Sequence, residues 1–356
     1  MIIDGRYRGL MEKNEGMTEQ EKRKRARARK RKRERERRRR IAVCVSVFLL
    51  CVALVLIFIF VGKLRKKGTG AEGAAVQGKS AEETVNSMPN AESTANVEAV
   101  QETITFTDAD VHTGDLILVN STYGYDFPAN TGRENLVNIR ESQSYPYQVE
   151  KPDYQISADI LPQLDAMIAA CDAAMGSSET GITSAHRSIE YQQNLWDETV
   201  ANYGEDYARQ YVAVPGYSEH HTGKACDIGI FYADGSQGSF SESQNAVWMR
   251  ENCGRFGFIR RYAEDKTQIT GISNEAWHFR YVGFPHAAYM TENNLCLEEY
   301  LDYLKNNTSE SSPLVIRGNT GAYKVFYTTE RTITKPSGSY TVSGDNMDGF
   351  IITVTE

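Results

Sequence analysis

The sequence predicts an α+β domain, built as a small antiparallel sheet with flanking helices, preceded by one transmembrane helix and followed by a small β appendage. Three observations carry that reading. Helical and strand-like segments alternate without the regular βαβ repeat of a parallel sheet. A run of 22 residues, 41–62, holds no charge. The last 45 or so residues turn Val-, Tyr- and Thr-rich and are broken by Gly, Ser and Asn, the pattern of short hairpins.

Charge divides the 356-residue chain. Residues 1–40 hold 18 Lys and Arg against 7 Asp and Glu, whereas residues 68–356 hold 18 against 40. Basic arms can neutralise phosphates, but here the basic arm precedes an apolar run and the rest of the chain is acidic, which excludes nucleic acid as the expected partner. The run IAVCVSVFLLCVALVLIFIFVG, as a helix, spans about 33 Å, the thickness of a bilayer's hydrocarbon core. It is longer than the apolar stretch of a cleaved signal peptide, so an uncleaved anchor is expected. Because the basic flank stays inside, the chain after residue 62 lies outside the cell.

Domains are expected at 1–40 (basic cytoplasmic tail), 41–62 (transmembrane anchor), 63–101 (flexible linker), 102–308 (catalytic domain) and 309–356 (β appendage). The linker is rich in small and polar residues and has no apolar period. Past it, 112–120 reads as a strand leading into the domain. Residues 157–175 read as a helix, with Ile160, Leu161, Leu164, Met167, Ile168, Cys171 and Met175 on one face. A second helix runs from the N-cap Ser188 to Gly204, its buried stripe formed by Leu195, Trp196, Thr199, Val200 and Tyr203. Further helices carry Ala246, Val247, Arg250 and Cys253, then Leu297, Tyr300, Leu301 and Leu304. Strands are expected at 225–232, 256–262 and 277–282. Four cysteines lie outside the apolar run, in a compartment that permits disulfides, and Cys171–Cys226 and Cys253–Cys296 are the expected pairs.

The chemistry concentrates in two segments, Ser218-Glu-His220-His221-Thr-Gly-Lys-Ala-Cys-Asp227 and Glu275-Ala-Trp-His278. A catalytic zinc takes three imidazole or carboxylate ligands and keeps one open position. His220, Asp227 and His278 can supply them. His220 and Asp227 are seven apart, so on one straight strand they would face opposite ways; a turn is required, and Gly223 is the expected bend. Glu275 and His278, three apart, likewise need a bend or bulge near Ala276. Glu275 is then placed to act on water as a general base. A lone histidine beside an acid is usually structural, but two such segments together point to a metal centre.

These residues resemble a known family. The pattern S-x-H-x-x-G-x-A-x-D, followed some fifty residues later by E-x-W-H, is similar to that of the VanY-type D-alanyl-D-alanine carboxypeptidases, within the lysostaphin, D-Ala-D-Ala peptidase and hedgehog metallopeptidase group. The likeness extends over about residues 104–305 and includes Ser184-Ala-His-Arg187-Ser-Ile-Glu-Tyr-Gln192, Pro215-Gly-Tyr-Ser218 and Gly257-Phe-Ile-Arg-Arg-Tyr262. It implies a hedgehog/D-Ala-D-Ala peptidase-like fold, Zn2+ held by His220, Asp227 and His278, Glu275 as general base, and Arg187 steadying the substrate carbonyl as it becomes an oxyanion. It also implies that Ser184, Gln192, Tyr217, Ser218 and Trp277 border the substrate, although Trp277 on a strand can equally be packing. The chain departs from the family at Ala185-His186, often Gly-Tyr, and at His221, where the family has a non-histidine residue.

The resemblance implies, as partner, the D-alanine-terminated stem peptide of peptidoglycan or its precursor, and removal of the terminal D-Ala as the reaction. An endopeptidase or dipeptidase of the same group, or a non-catalytic wall-binding module, are the rival readings. All four metal and base positions are filled, which favours the enzyme.

Overall fold

The computed structural model describes residues 102–133, 135–318 and 321–356. The basic tail, the expected membrane helix at 41–62 and the linker to residue 101 lie outside the described residues. No helix among the described residues is long and apolar enough to cross a membrane.

The central sheet runs in the order β3 (Gln148–Val149), β5 (Thr180–Ser184), β6 (Ala225–Phe231), β9 (Glu275–Tyr281) and β8 (Phe258–Tyr262), with β7 (Gln237–Gly238) also paired to β6. Its pairs are antiparallel except β3 with β5, which is parallel. Beside it, β2 (Leu136–Asn138) and β4 (Gln155–Ser157) form a two-stranded ribbon.

The strand period of two places consecutive residues of β8 in different cores. Phe258 joins Ile182, Cys226, Ile228, Ile230 and Phe279 beneath helix α1 (Leu161–Met175), whose Leu164, Met167, Ile168 and Cys171 are fully buried, as their spacing predicts. Gly176, at φ +67°, closes that helix. Ile259 instead joins a second cluster with α5 (His286–Glu292) and α6 (Leu297–Asn307), where Leu297, Tyr300, Leu301 and Leu304 are buried.

The tail forms an antiparallel sheet in the order β10 (Leu314–Gly318), β11 (Gly321–Thr328), β14 (Phe350–Thr355) and β13 (Tyr340–Gly344). Val325, Tyr327 and Ile351 of this sheet complete the second cluster. A ribbon of β1 (Thr103–Thr105) and β12 (Thr332–Thr334) ties the start of the described chain to the appendage.

Helix α2 (Ile189–Tyr203) is capped by Ser188, whose hydroxyl accepts from the Tyr191 amide, worth about 1 kcal/mol. Its expected apolar stripe is only half-buried and Tyr203 is exposed; the residues that turn fully inward are Gln192 and Thr199. Polar contacts, described below, hold this helix in place. The short α3 (Glu205–Tyr211) follows, and α4 (Gln244–Asn252) packs Ala246 and Met249 against the first core while Val247 is exposed.

Two expectations are overturned. Residues 112–120 form no strand: Leu116, Ile117, Leu118 and Val119 are buried, but their backbone is satisfied by other groups. The Leu116 amide donates to Ser343 Oγ, the Leu118 amide to the Asp345 carbonyl, and the Asp115 and Ile117 carbonyls accept from the Arg280 guanidinium. The disulfides also do not form, and all four cysteines are free and buried. Cys171 and Cys226 share one core, but the Cys171 thiol lies against the Thr180 hydroxyl and the Asn245 carbonyl.

Candidate metallopeptidase site

Local chain geometry brings the predicted ligands together. The Ser218 hydroxyl accepts from the His220 amide at 3.3 Å and starts one turn of 3-10 helix over Glu219–Thr222. Gly223 ends that turn at φ +67°, a conformation that favours glycine, and β6 begins two residues later. An added Cβ at Gly223 would lie 2.7 Å from Leu136 Cδ2, a side-chain methyl that would have to move aside, so the backbone angle is the main demand for glycine. The expected bend between His220 and Asp227 is therefore present.

Asp227 and His278 are direct cross-strand partners of β6 and β9, so both side chains rise from one face of the sheet. The parity problem at Glu275 is solved in β9. Arg260 pairs with Phe279 but Tyr262 pairs with Glu275, so β9 uses extra residues around Ala276 in a bulge that turns Glu275 back toward the site.

One ligand atom each from His220, Asp227 and His278 lies within 4.8 Å of the others, and all three residues are buried. His220 Nδ1 is 2.7 Å from the Ala185 carbonyl, to which it donates, which leaves Nε2 bare and 3.5 Å from Asp227 Oδ1. His278 Nδ1 lies 3.1 Å from the same Asp227 oxygen, while its Nε2 meets Glu219 Oε2 at 3.1 Å. Two imidazole nitrogens and a carboxylate oxygen thus converge with their other atoms already engaged, the arrangement a tetrahedral zinc with one open position requires. The residues present fit that ion.

Burial and charge set the protonation of the cluster. Burial, aided by the neighbouring Arg187 guanidinium, pushes His220 down to about 4, so it is neutral at physiological pH. Burial also acts to lower His278, but its hydrogen bonds to Asp227 and Glu219 outweigh this and raise it to about 9. Burial opposes the charge on Asp227, yet His220, His278 and Arg187 together hold its carboxyl well below the usual range.

Of the predicted catalytic pair, Glu275 places Oε2 4.0 Å from His278 Nδ1, at the edge of the donor set. Arg187 donates from Nη2 to Asp227 Oδ2 at 3.0 Å, and both Nε and Nη2 donate to Ser184 Oγ, at 3.0 and 2.8 Å. Gln192 is fully buried: its Oε1 accepts from Arg187 Nη1 at 3.4 Å and its amide donates to the Ala213 carbonyl. Ser184 and Gln192 therefore brace Arg187. Ser218 is buried as the cap of the ligand turn, whereas Tyr217 beside it is 37% exposed. Trp277 is half-buried against the first core.

Sequence reasoning missed four supports of the site. Glu219, fully buried between Ser218 and His220, holds His278 as described and accepts from Arg261 Nε at 2.8 Å. Arg280 lies 3.4 Å from the same Glu219 oxygen. His221 donates from Nδ1 to the Arg187 carbonyl at 2.7 Å and accepts from the Gly216 amide at 3.1 Å, so both nitrogens are engaged away from the ligand set. An acid next to a ligand histidine was visible in the sequence; nothing there showed which side it faced.

Comparison with known proteins places this geometry. The family described as VanY, D-alanyl-D-alanine carboxypeptidase, matches residues 153–284. A D-alanyl-D-alanine carboxypeptidase of Enterococcus faecium is 35% identical over 277 residues, which cover 76% of this chain and 84% of that relative. The chain belongs to the VanY family. Membership makes it a carboxypeptidase enzyme, with zinc as the metal its two imidazoles and one carboxylate are suited to hold. Among solved structures, the D,D-dipeptidase VanXYg in complex with a D-Ala-D-Ala phosphinate analogue is 30% identical, at a TM-score of 0.64, covering 72% of this chain and 100% of that one. A VanY from the VanB-type resistance cassette, solved in complex with Zn(II), is 36% identical at a TM-score of 0.42, covering 52% of this chain and 98% of that one. The VanY-family site is thus built on an α+β scaffold of small sheets, as the sequence predicts.

Proposed function

We propose that this VanY-family enzyme is a zinc-dependent D,D-carboxypeptidase that removes the terminal D-Ala from peptidoglycan stem peptides or their precursors. The observation that carries the reading is the convergence of His220, Asp227 and His278 within 4.8 Å with the Glu275 carboxylate at its edge. Zinc, when bound, supplies Lewis acidity, polarising a carbonyl and acidifying water toward a pKa of about 7.

The chain's own groups do the rest. Glu275 takes the proton of the attacking water on its carboxylate and returns it to the amine of the departing D-Ala. Arg187, held by Ser184, Gln192 and Asp227, offers a fixed positive charge to the oxyanion that develops on the scissile carbonyl. Tyr217, exposed beside the ligand turn, borders the substrate, with Trp277 as a wall. Ser184, Gln192 and Ser218 act through the residues they hold.

The likeness to a D,D-dipeptidase favours one second reading, cleavage of free D-Ala-D-Ala. The 22 uncharged residues at 41–62 and the basic arm before them support an anchored enzyme with its cytoplasmic N-terminus and its catalytic domain outside.

The purified protein is expected to release D-Ala from a pentapeptide stem, with loss of activity on chelation, recovery on adding Zn2+, and none in Glu275→Ala. Mass spectrometry of the products decides the bond. Release of a dipeptide or tripeptide without free alanine would overturn the carboxypeptidase reading, and turnover of D-Ala-D-Ala alone would establish the dipeptidase.

A further inference from the structure

A buried chain of charges runs behind His278. Glu219 is the acid at its centre, its side chain wholly out of solvent. One oxygen, Oε1, receives Arg261 Nε at 2.8 Å and faces Arg280 Nη1 at 3.4 Å. The other, Oε2, meets His278 Nε2 at 3.1 Å. Arg261 is also paired, through Nη2, with Glu298 Oε1 of α6 at 2.7 Å. Two guanidinium groups and two carboxylates therefore balance, and both arginines are fixed elsewhere as well, Arg280 by the Asp115 and Ile117 carbonyls.

The division of labour between the two Glu219 oxygens has a chemical consequence. A carboxylate oxygen can only accept, so the imidazole nitrogen opposite Oε2 must carry the hydrogen. Nδ1 of the same ring, 3.1 Å from Asp227 Oδ1, also faces a carboxylate and carries the second hydrogen of the charged ring; with the Nε2 hydrogen held by Glu219, the Nδ1 hydrogen is the one a cation displaces, and that nitrogen then has the lone pair to give. Because Oε1 is committed to two fixed arginines, the carboxylate cannot rotate or exchange its roles.

We propose that Glu219 is a positioning residue that assigns the imidazole hydrogen of His278 to Nε2 and so keeps Nδ1 open to the metal. The inference rests on the metal-site reading above and adds the group that makes one of its ligands competent. It is a general habit of metal-bound histidines to donate their second nitrogen to an acceptor, and losing that acceptor weakens binding about 10- to 100-fold. Here the acceptor adjoins the other histidine ligand in sequence, so one turn of chain delivers His220 to the ion and Glu219 to the back of His278.

Glu219→Gln is the discriminating variant. Its single carbonyl oxygen is claimed by the two arginines, which turns the NH2 toward His278 Nε2. That nitrogen must then accept, the ring hydrogen moves to Nδ1, and the ligand is blocked although size and shape are kept. Glu298→Gln is the control, since it disturbs the same buried network without touching His278.

The test measures zinc affinity by chelator competition and the absorption spectrum of the cobalt(II)-substituted protein, with melting temperatures alongside. Glu219→Gln is expected to bind zinc about 10- to 100-fold more weakly with an altered cobalt spectrum, while Glu298→Gln loses stability but keeps the native affinity and spectrum. Equal zinc binding by Glu219→Gln, or an equal loss in Glu298→Gln, overturns the assignment. If Glu219→Gln does not fold, nitrogen-resolved NMR of the zinc-loaded native protein decides: a solvent-protected Nε2–H on His278 supports the role, and its absence refutes it. Failure of the native protein to bind zinc at all would instead sink the metal-site reading.

Discussion

Arg187 and Asp227 are joined at 3.0 Å, so the group assigned to the developing oxyanion is anchored on a group assigned to the metal. Removing the guanidinium should cost transition-state charge stabilisation more than substrate binding. Arg187→Ala is expected to lower kcat by about 100- to 1,000-fold with a much smaller change in KM. Arg187→Lys should recover little, because a single ammonium cannot satisfy Ser184, Gln192 and Asp227 at once. Steady-state D-Ala release measures both.

Gly223→Ala tests the turn between the two ligands. The new Cβ meets Leu136 at 2.7 Å on a backbone at φ +67°, so a loss of about 1–3 kcal/mol is expected, together with weaker zinc binding as His220 and Asp227 move apart. Denaturant unfolding and metal titration of one preparation would show both changes; an unchanged midpoint would contradict the backbone strain expected of a non-glycine residue at this angle.

His221→Ala separates bracing from ligation. Loss of the ring leaves the Gly216 amide and the Arg187 carbonyl without their partner, at about 1–3 kcal/mol each where buried. Stability should fall and KM should rise, since the Gly216–Tyr217 turn and Arg187 both loosen. Zinc content by elemental analysis should stay at the native value, and a lost zinc equivalent would make His221 a ligand.

Acid should weaken the junction between the catalytic domain and the appendage. His286 lies between the Tyr300 hydroxyl, 2.8 Å away, and Thr353 of β14, 3.1 Å away, and burial pushes its pKa down from 6.5 to about 4. The unfolded chain binds the proton first, so the stability this neutral ring contributes is complete above pH 6.5 and declines as pH falls toward 4. Between pH 7 and pH 5 the native protein should lose about 2 kcal/mol from this group alone. Urea unfolding at the two pH values, compared with His286→Gln, checks it: the variant should show a shallower acid dependence.

Much of this site was legible in the sequence because ligand geometry imposes parity. The seven-residue step from His220 to Asp227 demanded a bend that Gly223 supplies, and the three-residue step from Glu275 to His278 demanded the bulge found in β9. The helices at 161–175 and 297–307 were equally plain, since their apolar residues repeat at helical spacing. Residues 112–120 misled because four consecutive buried apolar residues look the same whether a neighbouring strand or side-chain donors, here Arg280 at Ile117 and Asn346 at Leu118, meet their carbonyls. Gln192 carries a second lesson: expected beside the substrate, it is fully buried, with Oε1 accepting from Arg187 and Nε2 donating to the Ala213 carbonyl, contacts no spacing rule reveals. The pairing of Arg261 and Arg280 with Glu219 spans dozens of residues and has no periodic trace.

The arginines behind His278 also fix how much chain the enzyme needs. The segment that matches its family is 153–284, but Arg280 is held by carbonyls at 115 and 117, and Arg261 by the acid at 298. A protein trimmed to the recognisable stretch would keep all of its ion-binding atoms but leave two buried arginines sharing the single carboxylate of Glu219. The catalytic centre is therefore not a portable cassette, and a graft onto another scaffold would have to carry both flanks with it.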